Sequence, residues 1–164
     1  MLSFVRASRC SLNQFSRRQF HATQARTFLA LKDVKYKVTA TATGAGRKGK
    51  VEANGFSLSM DTPSELGGTG KGQNPEQLYA MGYASCLLAA TQLAARTQKK
   101  NDQAQAAKVH VSVSLGEPKD IGSFGLAVDI KAEGVDEEVL QAAHKICPYS
   151  RALNHGVSVN VSKA

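Results

Sequence analysis

Asn74-Pro75-Glu76-Gln77-Leu78-Tyr79-Ala80-Met81-Gly82-Tyr83-Ala84-Ser85-Cys86 opens the segment on which the fold turns, and the segment runs on to about Gln98. Asn caps a helix, Pro takes its first position, and Glu meets the positive end of the dipole. Leu78, Tyr79, Met81, Tyr83, Cys86, Leu87, Leu88, Ala89, Ala90 and Leu93 then surround the helix on nearly every side. A helix that is apolar all round is buried. The segment is therefore expected to be the central element of the fold.

Outward from it, the patterns are mostly of period two. Residues 33–43 alternate apolar and polar with Val, Tyr and Thr, which predicts a strand. A glycine turn, Gly44-Ala45-Gly46-Arg47-Lys48-Gly49, follows it. Residues 50–53 and 56–60 flank Asn54-Gly55, a strong hairpin signal. Residues 61–73 read as loop, with Gly67, Gly68, Gly70 and Gly72. Gly70-Lys71 precedes Gly72 and not Ser or Thr, so this is no phosphate-binding loop. Beyond the helix, Lys99 to Gln105 reads as a polar linker. Residues 108–116 and 124–133 read as two strands, and Asp136 caps a second helix that Pro148 stops after Cys147. Residues 157–162 read as a last strand. The expected order is β-β-β-α-β-β-α-β, an α+β domain with mostly antiparallel sheets over residues 33–164. No apolar stretch in this reading approaches the ~20 residues that span a bilayer.

The formal net charge of +8 first suggests nucleic acid, but its distribution argues otherwise. Residues 1–32 hold six cations (Arg6, Arg9, Arg17, Arg18, Arg26 and Lys32) and no Asp or Glu. The remaining fifteen cations face thirteen anions, leaving +2 on residues 33–164. Nucleic-acid binding is therefore rejected as the main role. The acid-free, Arg- and Ser-bearing start has the composition of a mitochondrial transit peptide, with a cleavage site expected after Phe20. The protein is accordingly expected in mitochondria, in the matrix.

Cys10 falls within that leader, which leaves Cys86 and Cys147. A reducing matrix does not favour structural disulfides. Two thiols without metal-ligand spacing make no zinc site, so no metal is expected. They are either buried apolar residues or redox chemistry. If Cys86 is a nucleophile, it stands twelve residues beyond the Asn74 cap, out of reach of the helix dipole. A side-chain cation is then expected to hold its thiolate. Cys147, at the negative end of its helix, is the poorer first nucleophile and suits a second step. Two rival readings keep the same residues: a lipid-binding module with inert thiols, and a thiol redox sensor.

Residues Asn74 to Cys86, and Cys147-Pro148-Tyr149-Ser150-Arg151-Ala152, resemble the two cysteine motifs of the organic hydroperoxide resistance (Ohr) branch of the OsmC/Ohr family. Residues 41–49 resemble its arginine-bearing hairpin, although Ala45 separates Gly44 from Gly46 and Lys48 adjoins Arg47. The likeness spans nearly all of residues 34–162. It implies a metal-free peroxidase for fatty-acid and other organic hydroperoxides, with no bound cofactor. It implies an intertwined homodimer with active sites at the interface, re-reduced by a dihydrolipoyl dithiol such as dihydrolipoamide or a lipoylated protein. By matching position, Cys86 is peroxidatic, Cys147 resolving, Arg47 the thiolate's cation and Glu76 its anchor. Leu66, Met81, Phe124 and Tyr149 are expected to line an apolar groove. Glu76 and Cys86 are ten residues apart, about 15 Å along a straight helix. A bend at or near Gly82 is expected to close that gap, the alternative being an incoming subunit.

Overall fold

The computed structural model describes residues 29–119 and 122–163. The transit-peptide reading falls almost wholly on residues outside these.

Three short strands, β1 (Thr41–Thr43), β2 (Lys50–Ala53) and β3 (Phe56–Ser59), form one antiparallel sheet in that order. Asn54 and Gly55 both take positive φ, 50° and 79°, as the tight hairpin between β2 and β3 requires. The loop after β3 is drawn together by the buried Asp61. Its carboxylate accepts from the backbone N–H groups of Thr62 and Lys71 and from the Thr69 hydroxyl. Gly68 is required there, since a Cβ would stand 1.8 Å from the Thr62 carbonyl oxygen.

Helix α1 (Pro75–Thr97) begins with a full capping box. Asn74 accepts from the Gln77 N–H, and the Gln77 side chain accepts from the Asn74 N–H. Its buried residues, Tyr83, Leu87, Ala90, Thr91, Ala94 and Ala95, follow helical spacing and form one stripe. The short α2 (Asn101–Ala106) occupies what the sequence suggests is a linker. Strands β4 (Lys108–Gly116) and β5 (Gly125–Glu133) form a second antiparallel sheet in full register, Val111 opposite Ile130 and Val113 opposite Val128. Val109, Val111, Val128 and Ile130 turn one face of this sheet onto the α1 core. Helix α3 (Glu137–Ile146) adds Val139 and Ala143 to that core.

The class is α+β with antiparallel sheets around a long central helix, as the patterns indicate. Several details of the sequence reading need correction. Of the strand expected over 33–43, only Thr41–Thr43 pairs. The last expected strand shrinks to one parallel bridge, Val157 with Leu29. In both cases the alternation is present, but the described residues offer no neighbouring edge for the backbone groups. Pro148 does end α3, yet it also begins a helix, α4 (Pro148–His155), since proline suits the first helical position. The observed order is therefore βββααββαα. Finally, α1 is not buried all round: Met81 and Leu93 are exposed. By length and composition α1 is apolar enough to cross a membrane, contrary to the sequence reading, but in this fold it packs as the core helix.

Asp136 joins the second sheet to α3. It caps Val139 N–H and accepts from Gln103 and Lys100. These contacts, the Gln103 hydrogen bond foremost, pull its carboxyl from 3.8 down to about 2. A carboxyl lowered by folding adds stability that is present above 3.8 and is lost as pH falls toward about 2. Asp136→Asn keeps a capping side chain without the charge. It is expected to flatten the acid limb of the stability curve across that window, measured by thermal melts at stepped pH, and to leave a smaller difference below it.

Candidate active site

Arg47 lies in a single 3-10 turn, Gly46–Lys48, closed between β1 and β2. Gly44 has φ 90°, and a Cβ on Gly49 would meet the Thr43 carbonyl oxygen at 2.1 Å, so the turn depends on both glycines. It delivers Arg47 to the first turn of α1. Both guanidinium branches donate to Glu76, Nη1 to Oε2 at 3.0 Å and Nη2 to Oε1 at 2.7 Å. This two-bond fork holds the Glu76 carboxyl below its usual range. Arg47, and not the adjacent Lys48, is the residue that meets Glu76. Arg47 remains about two-fifths exposed at its side chain, against 15% for Glu76, so one side of the guanidinium is open.

Cys86 lies on the same helix, ten residues further on. Its Sγ stands 3.7 Å from that of Cys147, which donates to it. Cys147 is wholly buried and Cys86 half-buried. Cys147 is at once the C-cap of α3 and the N-cap of α4. The expectation that it answers only to a negative helix end is corrected by that junction, where a positive end also begins. Burial is the leading influence on Cys86 and pushes its thiol up. The Tyr149 backbone N–H opposes this, and Cys147 adds to it.

Within one chain, then, two pairs assemble: Arg47 with Glu76, and Cys86 with Cys147. Arg47 is not among the groups that act on Cys86. Helix α1 runs as continuous α-helix through Gly82, so no break separates Glu76 from Cys86. Gly82 is small for another reason. A Cβ there would lie 2.8 Å from the Tyr149 hydroxyl, and the Tyr149 ring covers this point of α1. Of the groove residues, Leu66 lines a cavity of about 470 Å³ with Glu76, Ala80, Val113 and Leu115. Tyr149 packs at the thiol end, against Tyr79 and Tyr83. Met81 and Phe124 stand exposed.

In the sequence, Ser150 has no role beyond its place in the second cysteine motif, and Tyr83 counts only among the apolar residues of the central helix. Their hydroxyls meet at 2.8 Å in the core. The usable signal was the short Pro148 helix, which places Ser150 on its first turn beside Cys147.

Fold and site together define an α+β protein with a paired-thiol centre. The family model described as OsmC-like protein matches residues 68–162. The organic hydroperoxide resistance protein of Xanthomonas axonopodis pv. citri (strain 306) is 37% identical over 140 residues, 80% of this chain and 96% of that relative. The solved structure of organic hydroperoxide resistance protein OsmC from Legionella pneumophila superposes with a TM-score of 0.67 at 36% identity. It covers 78% of this chain and 96% of that one. The organic hydroperoxide resistance protein OhrB of Bacillus subtilis gives 0.63 at 30% identity, over 76% and 96%. The chain belongs to the OsmC-like family, and its relatives include proteins of the Ohr branch.

At 3.7 Å the two sulfurs need only approach to about 2.05 Å to bond. One equivalent of a two-electron oxidant is expected to give a Cys86–Cys147 disulfide within one chain, identified by mass spectrometry of the non-reduced digest. Recovery of both thiols unlinked would show that the sulfurs do not meet in solution.

Proposed function

We propose that the protein is a thiol peroxidase that reduces organic hydroperoxides, including those of fatty acids, to alcohols. The observation that carries this reading is the approach of Cys86 to Cys147 within a chain of Ohr-type relatives. Cys86 thiolate attacks the terminal peroxide oxygen. An S–O bond forms, the O–O bond breaks, and the leaving alkoxide takes a proton to become the alcohol. Cys147 then attacks the sulfenic sulfur, and hydroxide leaves as water with the thiol's proton. A dithiol of the dihydrolipoyl class reopens the disulfide by exchange.

The thiolate needs a cation, and the open side of Arg47 is the one presented. A straight α1 sets Glu76 and Cys86 about 15 Å apart. The complete site is therefore proposed to form between two copies, the Arg47–Glu76 pair of one facing the thiols of the other. Unpaired apolar segments support a dimer. Val34, Tyr36 and Val38 are exposed with strand alternation, as are Val157, Val159 and Val161. These segments suit pairing with a second chain. The cationic, acid-free leader supports a mitochondrial setting.

Arg47→Ala is expected to raise the Cys86 pKa and slow peroxide reduction by orders of magnitude. Glu76→Ala is expected to do less, because it orients Arg47 only. Arg47→Ala mixed with Cys86→Ser decides the geometry. Hybrid dimers keep one intact site, so random exchange restores about a quarter of wild-type sites. No recovery after confirmed subunit exchange would mean that Arg47 serves its own chain.

The substrate class has its own test. Each buried methylene of an organic tail contributes about 0.8 kcal/mol. Four of them realised in the transition state amount to roughly a hundredfold over hydrogen peroxide. Stopped-flow oxidation of the reduced protein by both peroxides measures the ratio, and equal rates would remove the organic preference.

A further inference from the structure

We infer that Tyr83 and Ser150 form a positioning pair that holds Cys147 at resolving distance from Cys86. The inference rests on the peroxidatic and resolving roles proposed above and adds two residues that those roles do not use.

Tyr83 precedes Cys86 by three residues and so shares its side of α1. Ser150 follows Cys147 by three residues, on the first turn of α4. Their hydroxyls meet at 2.8 Å, with Tyr83 1% and Ser150 0% exposed. The bond spans 67 residues of chain. It ties the turn before one thiol to the turn after the other, beside the 3.7 Å gap between the sulfurs. Tyr83 lies close enough to both thiols for each to raise its pKa, though burial is the larger cause.

The Tyr149 N–H reaches Cys86 from the same turn, and the aromatic contacts beside it bring the turn near without setting its register. Tyr149 stacks on Tyr83, centroids 5.4 Å apart at 23°, and meets Tyr79 edge-on at 6.0 Å. Stacked rings tolerate sliding, whereas a buried hydroxyl pair has one geometry in which both groups are satisfied. Cys147 itself makes no side-chain cap to α4. The first turn of α4 is thus pressed on by aromatic packing, tied to Cys86 through the Tyr149 N–H, and indexed in the core by the buried hydroxyl pair.

Position matters because two reactions compete for the Cys86 sulfenic acid. In resolution, the Cys147 sulfur bonds to the Cys86 sulfur, the S–O bond breaks, and water departs. In over-oxidation, the sulfenate attacks a second hydroperoxide, a new S–O bond forms, the O–O bond breaks, and an alcohol departs to leave the sulfinic acid. The first needs an intramolecular approach along a fixed line and falls steeply with misplacement. The second needs only access.

The experiment compares wild type with Tyr83→Phe, Ser150→Ala and the double variant. Cys86 disulfide and sulfinic acid are quantified by mass spectrometry across a series of organic hydroperoxide concentrations, with thermal melts alongside. In each single variant, the concentration that over-oxidises half of Cys86 is expected to fall about tenfold, the factor that corresponds to one lost hydrogen bond. Each single variant also orphans a buried hydroxyl and lowers the melting temperature. The double variant orphans none and regains much of that loss. Its partition is nevertheless expected to stay shifted like the singles, which a purely structural role would not produce. A double variant that resolves like wild type, or single variants with unchanged partition, overturns the inference. If wild-type Cys86 is not oxidised at all, the peroxidase reading fails and takes this inference with it.

Discussion

Ten residues of unbroken α-helix separate Glu76 from Cys86, and that rigid spacing governs the chemistry open to one chain. The capping box at Asn74 and the stripe from Tyr83 to Ala95 keep α1 one continuous helix. Such a helix cannot bring its first turn to its own middle. Arg47 is locked to the first turn by a two-bond fork, and the thiols meet at the middle. The Arg47–Glu76 pair and the thiol pair each assemble within one chain, on different turns of α1.

Electrostatics within the chain point the same way. Cys86 is pushed up by burial, and the Tyr149 N–H opposes that push only in part. A thiol so placed gives up its proton less readily, and the thiolate is the reactive form. Activation needs about one desolvated guanidinium in contact. The open side of Arg47 offers such a group, already neutralised on its other side by Glu76 and so less costly to bury than a lone cation.

How much of this could be read from the sequence depended on the range of each interaction. The Asn74 cap, the Asn54-Gly55 hairpin and the alternation of β4 and β5 are local, and each appears where the pattern places it. The segments 33–43 and 157–162 carry the same alternation but form almost no sheet, because pairing needs an edge that the pattern does not supply. Pro148 misled by having two meanings, helix stop and helix start. The contact of Tyr83 with Ser150 has no periodicity to reveal it, the residues being 67 apart, and only a helix start at Pro148 hints at where Ser150 lies. A bend at Gly82 is expected if one chain is to complete the site, yet α1 is continuous there. The glycine instead makes room for Tyr149.

Under the proposed two-copy arrangement, these features have a common cause. The segments that fail to pair are the ones that leave apolar side chains in water, and covering them is the driving force for association. The same association would bring a guanidinium to a thiol whose pKa burial pushes up. A single chain would then keep its thiols close but unreactive, sheltered in the core. Only the assembled pair would present a thiolate to peroxide. Folding energy spent on covering strands and catalytic energy spent on stabilising a thiolate would come from one interface, so the peroxidase would switch on with assembly.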